Sequence, residues 1–146
     1  MRAWKSVSLA LGVLTLDQAT KGAAGALLSP GESVSVLGDI LRLTMVYNTG
    51  GAFGLLPGHT TMLLGLSATM VLAAGWALFS GKPWWAPRPG VALLWAGTAG
   101  NLIDRIRWGY VLDFVQVPYW PVFNVADSAI LIGAALITWG LLRRAN

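Results

Sequence analysis

Apolar residues run along this chain in four long blocks, covering roughly residues 7–28, 60–79, 90–106 and 124–142. Each approaches the ~20 residues that a membrane-crossing helix needs. The pattern therefore predicts an all-α membrane fold with four transmembrane helices in a single domain. Between the first two blocks the period changes. Ser33-Val34-Ser35-Val36 and Leu41-Arg42-Leu43-Thr44-Met45-Val46-Tyr47 alternate as strands do, after a turn at Ser29-Pro30-Gly31-Glu32 and around a second turn at Leu37–Ile40. A small extramembrane hairpin or sheet is expected there.

The interruptions are as informative as the blocks. Asp17, Gln18 and Lys21 break the first one, and Asp17 and Lys21 stand four apart, able to form an internal ion pair on one helical face. The positive start at Arg2 and Lys5, with small residues at Ala24-Gly25-Ala26, also resembles a cleavable secretory signal. Charge between its apolar core and that site favours a retained first helix. In the third block Gly97, Gly100, Asn101 and Asp104 follow i, i+3, i+4, i+7 spacing, so one face is small and polar and must look into the bundle. The loop Gly81–Pro89 holds Trp84 and Trp85 and reads as an interfacial anchor. Pro57-Gly58 ends the loop before the second block, and His59, alone at its entrance, is read as interfacial rather than as a ligand. Trp108–Val122 reads as a short outer connection.

Composition supports the membrane reading. Only 11% of the 146 residues are charged and 55% are hydrophobic, where soluble domains carry about 25% charge. The net charge of +4 comes from ten basic and six acidic residues. No basic run interleaves with aromatics, so no nucleic-acid partner is expected. With both termini cytoplasmic, Arg2, Lys5, Lys82, Arg88, Arg143 and Arg144 lie inside, against Lys21, Arg42, Arg105 and Arg107 towards the outside. Cysteine is absent, which excludes disulfides, thiol catalysis and cysteine-ligated metals.

The candidate chemistry is concentrated in Ala96–Ile130, which holds Asp104, Asp113 and Asp127. Four spans put Asp113 and Asp127 at neighbouring helix ends, near one membrane face. Two carboxyl groups sharing a proton can hydrolyse an amide: one draws a proton from water, the other donates. Each residue also has a plainer explanation. Asp127 lies in the first helical turn three residues after a candidate N-cap, Asn124, and Asp113 reads as a solvated loop charge. The helix N-terminus favours ionised Asp127 as the base, and the apolar flanks of Asp113 favour it as proton donor, although a coupled pair shares its proton. A rival from another class is a small proton- or ion-coupled transport component relaying through Asp17, Asp104 and Asp127. It predicts polar positions throughout the membrane depth, and no internal repeat supports it.

Five blocks in one order carry a resemblance: Leu16–Lys21 (LDQATK), Tyr47–Gly54 (YNTGGAFG), Gly100–Arg105 (GNLIDR), Gly109–Phe114 (GYVLDF) and Phe123–Asp127 (FNVAD). Together they resemble the bacterial signal peptidase II family of membrane aspartic proteases. Gly51 stands where the family usually has Ala, and Ala96 where a second glycine often precedes Gly97. The resemblance implies an endopeptidase of the cytoplasmic (inner) membrane that cuts prolipoproteins before a diacylglyceryl cysteine, near the outer face. It implies Asp113 and Asp127 as the catalytic pair, with Asp17, Asn48, Gly50, Asn101, Asp104, Arg105 and Asn124 shaping the site. The loop Thr49–Ala52 is expected to hold the extended signal peptide, under a cradle of outer strands. Neither metal nor cofactor is implied; the partners are substrate and membrane lipid, and a monomer is expected.

Overall fold

The computed structural model describes residues 3–51, 59–80 and 87–145. In chain order its elements are α1 (Ala3–Leu27), β1 (Ser33–Leu37), β2 (Leu41–Asn48), α2 (Thr60–Phe79), α3 (Arg88–Trp108), β3 (Val111–Gln116) and α4 (Val125–Ala145). The loop residues Ala52–Gly58, and Gly81–Ala86 with its tryptophan pair, lie outside the described residues. The fold is mostly helical, and all four expected helices form.

Helix α3 packs against each of the other three helices, and its small residues explain how. A Cβ at Gly97 would collide with the Ala126 carbonyl of α4, and one at Gly133 of α4 would come within 2.7 Å of the Leu94 nitrogen. The helices therefore meet backbone to backbone, without a layer of large side chains between them. The polar face predicted on α3 does turn inward: Gly97, Gly100, Asn101 and Asp104 are all buried.

Of the four helices, α2 and the Val125–Arg143 part of α4 are long and apolar enough to cross a membrane. Both leave large apolar side chains uncovered, among them Leu72 and Trp76 on α2 and Leu131 and Trp139 on α4. Helices α1 and α3 fall short of that apolarity because they carry the interior charges, Asp17 and Lys21 on one and Asp104 and Arg105 on the other.

The expected hairpin forms and then extends. β1, β2 and β3 make one antiparallel sheet in that order. The third strand corrects the reading of Trp108–Val122 as a plain connection. Gly109 ends α3 with φ 79°, its N–H bonded to the Arg105 carbonyl at 3.0 Å, a conformation that glycine adopts without a Cβ penalty. The chain then turns directly into β3. Alternation along β3 sends Leu112 and Phe114 to one face, where they pack with Ala24 and Met45. Val111 and Asp113 take the other face.

Candidate active site

Asp113 is not a solvated loop charge. It lies in β3 opposite Val46 of β2, and Asn48, two residues further along β2, is its diagonal neighbour on the same face. Asn48 Nδ2 accordingly donates to Asp113 Oδ2 at 2.9 Å, and Asn124 Nδ2 donates to Oδ1 at 2.7 Å. The carboxyl group is only 2% exposed. Burial, and then the negative charge of Asp127, push its pKa up to about 7, against the two asparagine hydrogen bonds and the Lys21 charge.

Asp127 sits in the first turn of α4 and forms the reciprocal cap that its spacing from Asn124 suggested. The Asp127 N–H donates to Asn124 Oδ1 at 2.8 Å, and the Asn124 N–H donates to Asp127 Oδ2 at 3.3 Å. The cap does not exhaust the carboxylate, because Oδ1 accepts Asn101 Nδ2 at 2.8 Å. Asn124 thus touches both aspartates, one through its side chain and the other through its backbone. Asp127 is also the more open of the two. It borders a cavity of about 170 Å³ shared with Asn48, Gly51, Asn101 and Arg105, and an apolar groove of about 350 Å³ beside Trp120, Phe123 and Leu131.

The remaining predicted residues gather around this pair. Asn48 Oδ1 accepts the Gly50 N–H at 2.8 Å, and Arg105 Nη2 donates to the Gly50 carbonyl at 2.9 Å, so the start of the loop is held from both sides. Arg105 also reaches the Asn101 carbonyl and Ser67. Asp104 accepts the Leu112 N–H at 3.3 Å, tying α3 to β3. Asp17 accepts the Ala126 N–H at 2.8 Å, which ties α1 to the start of α4.

The Asp17–Lys21 ion pair forms at 2.9 Å, but it is not isolated. Lys21 also meets Asp104 at 2.8 Å and Asn101 Oδ1 at 3.0 Å, and Gln18 donates to both Asp17 and Asp104. Lys21 and Gln18 were absent from the set read off the sequence. The available signal was Lys21 itself, a lysine inside an apolar block, which must find compensation or neutralise.

The family model described as signal peptidase (SPase) II matches residues 9–143. Curated relatives described as lipoprotein signal peptidases include one from Moorella thermoacetica, 44% identical over 92% of this chain and 90% of the relative. Another, from Mycobacterium tuberculosis, is 41% identical over 90% of this chain and 67% of its own. A solved structure of a bacterial membrane enzyme is 30% identical, with a TM-score of 0.88 over 97% of this chain and 90% of that one. A second membrane-enzyme structure is 31% identical with a TM-score of 0.81, over 94% and 92%.

Proposed function

Since this chain belongs to the signal peptidase II family and is a lipoprotein signal peptidase, we propose that Asp113 and Asp127 are the pair that hydrolyses the peptide bond. The observation that carries the assignment is their junction at Asn124. One asparagine donates to Asp113 through Nδ2 and to Asp127 through its backbone N–H, which holds two like-charged groups at one site. Such a pair disfavours double ionisation and retains one proton.

The roles follow from exposure. Asp127 borders the cavity and takes the proton from water as the water oxygen attacks the scissile carbonyl. Buried Asp113, its pKa raised to about 7, holds the shared proton and gives it to the carbonyl oxygen. When the tetrahedral intermediate collapses, the C–N bond breaks, the proton taken up by Asp127 passes to the leaving nitrogen, and a hydroxyl proton of the intermediate returns to Asp113, leaving the acid product to ionise in water. The products are the signal peptide carboxylate and the amine of the processed lipoprotein, whose first residue is the diacylglyceryl cysteine. Asn48, Asn101 and Asn124 orient the carboxyl oxygens. Asp17 and Asp104 hold α1, α3, β3 and α4 together behind them, and Arg105 fixes the Gly50 carbonyl. The segment Asn48–Gly51 lies along the cavity and guides the extended signal peptide.

The arrangement in the membrane is part of the same reading. Four spans are favoured because the charges that lower the apolarity of α1 and α3 are buried and paired inside the bundle, leaving Leu11 and Leu16 among the uncovered residues of α1. The sheet and the aspartate pair then lie at the outer face of the inner membrane, with both termini cytoplasmic. The enzyme acts as a monomer on substrate delivered through the lipid. The test is cleavage of a diacylglyceryl prolipoprotein peptide by purified protein. Asp113→Asn and Asp127→Asn should each lower kcat by about a thousandfold with folding intact. Near-normal turnover in either variant would falsify the pair.

A further inference from the structure

Lys21 is 1% exposed on α1, and its ammonium group has three partners: Asp17 Oδ2 at 2.9 Å, Asp104 Oδ2 at 2.8 Å and Asn101 Oδ1 at 3.0 Å. Two carboxylates would suffice to compensate the charge. The third contact has a separate consequence. An ammonium group donates and never accepts, so the atom of Asn101 facing it must be the oxygen. The amide nitrogen must then face the other way, and it donates to Asp127 Oδ1 at 2.8 Å. The same Asn101 oxygen accepts Asn124 Nδ2 at 3.2 Å. Asn124 is oriented independently, since its own oxygen accepts the Asp127 N–H.

We propose that Lys21 is a positioning residue for the hydrolysis, holding the Asn101 amide in the one orientation that donates to Asp127. The inference rests on the reading of Asp113 and Asp127 as the reacting pair. Without Lys21 the Asn101 oxygen keeps only the longer, neutral contact from Asn124 Nδ2 at 3.2 Å, and rotation of the amide by half a turn, which presents its oxygen to the Asp127 carboxylate, becomes less costly. Lone pairs would then face each other, and the carboxylate would be displaced from the cavity. A lysine serving only as counter-ion to Asp17 and Asp104 would have no such effect on turnover.

The charge of Lys21 also acts on the pair. The other charged groups around it are Asp17 on α1, Asp104 and Arg105 on α3, Asp113 on β3 and Asp127 on α4, while α2 carries no charged side chain. Lys21 favours ionised Asp113, so its removal should move the alkaline limb of the activity profile, set by Asp113, to higher pH.

The experiment compares Lys21→Met combined with Asp104→Asn against Asp104→Asn alone, in full-length protein in detergent. The double variant keeps the net charge of the buried cluster, so that one carboxylate, Asp17, rather than two loses its counter-ion. Relative to Asp104→Asn, kcat should fall about tenfold or more, as loss of a residue orienting a reacting group does. KM should stay within about twofold, and the alkaline limb should move up by about half a pH unit. An equal kcat and an unmoved limb would reduce Lys21 to a counter-ion and overturn the proposal. Lys21→Arg, which retains a charged donor, covers the case of a double variant that does not fold. It should keep the wild-type alkaline limb, and a limb displaced upward in that variant would also overturn it. Asp113→Asn and Asp127→Asn in the same assay separate this outcome from failure of the pair itself, because near-normal turnover there removes the pair whatever Lys21 does.

Discussion

Asp17 Oδ1, on α1, accepts the backbone N–H of Ala126, in the first turn of α4, at 2.8 Å. A side chain 109 residues away thereby satisfies one of the orphan donors at the helix start, one position before Asp127. Asp17→Asn keeps an oxygen for this bond, whereas Asp17→Ala leaves the buried N–H without a partner at a cost of about 1–3 kcal/mol. Thermal unfolding in detergent should show a larger loss for alanine than for asparagine. Equal losses would mean that the charge, and not the bond to α4, is what Asp17 contributes.

Close helix packing makes a second prediction. A Cβ at Gly100 would stand 2.5 Å from Asp17 Oδ2 and one at Gly97 would meet the Ala126 carbonyl. Either alanine substitution should lower the unfolding midpoint and reduce activity, through displacement of the carboxylate or of the start of α4. Gly22 and Gly65 have nothing within 4 Å of a built Cβ, so alanine there should be neutral or stabilise the helix by about 0.5–1 kcal/mol. Gly100→Ala behaving like Gly65→Ala would contradict the packing.

The pKa of Asp113 sets a pH dependence of stability. Its folded value of about 7 lies above the ordinary carboxylate value of 3.8. The native state therefore retains a proton that the unfolded chain releases, and stability present below about pH 4 is lost as the pH rises through about 7. Asp113→Asn cannot ionise at this position. Its unfolding midpoint, measured against wild type, should improve between about pH 4 and pH 7 and level off above. A constant difference across that window would show that Asp113 is not held protonated by the fold.

Asn48 tests the opposing influence. Its hydrogen bond lowers the pKa of Asp113, so Asn48→Ala should raise it and move the alkaline limb of activity to higher pH. A lower kcat is also expected, because Asp113 Oδ2 and the Gly50 N–H both lose their Asn48 partner. Unchanged kinetics and an unchanged profile would leave Asn48 as part of a connector.

Topology is open to a direct measurement. A reporter fused at Trp85, between α2 and α3, should read cytoplasmic, and one fused in the β1–β2 turn should read periplasmic. The reverse pattern would invert the bundle and put the aspartates on the wrong face.

The sequence by itself determined the helices and the first hairpin. Apolar blocks of span length and a strict two-residue alternation are local patterns with few competing solutions. It also determined the cap at Asn124 and Asp127 and the inward face of α3, because both follow from helical spacing. Only the tertiary structure decided β3, where a six-residue strand between Gly109 and two prolines has too little length to declare its period. The surroundings of Asp113 depended on it in turn. A lone aspartate in a connection looks solvated until the β2–β3 register puts Asn48 diagonally beside it and α4 brings Asn124 to its other oxygen. Lys21 shows the same division. Its pairing with Asp17 is a local, four-residue relation, legible from spacing. Its contacts with Asn101 and Asp104 span about 80 residues of chain and depend on the close approach of α1 and α3 at Gly100.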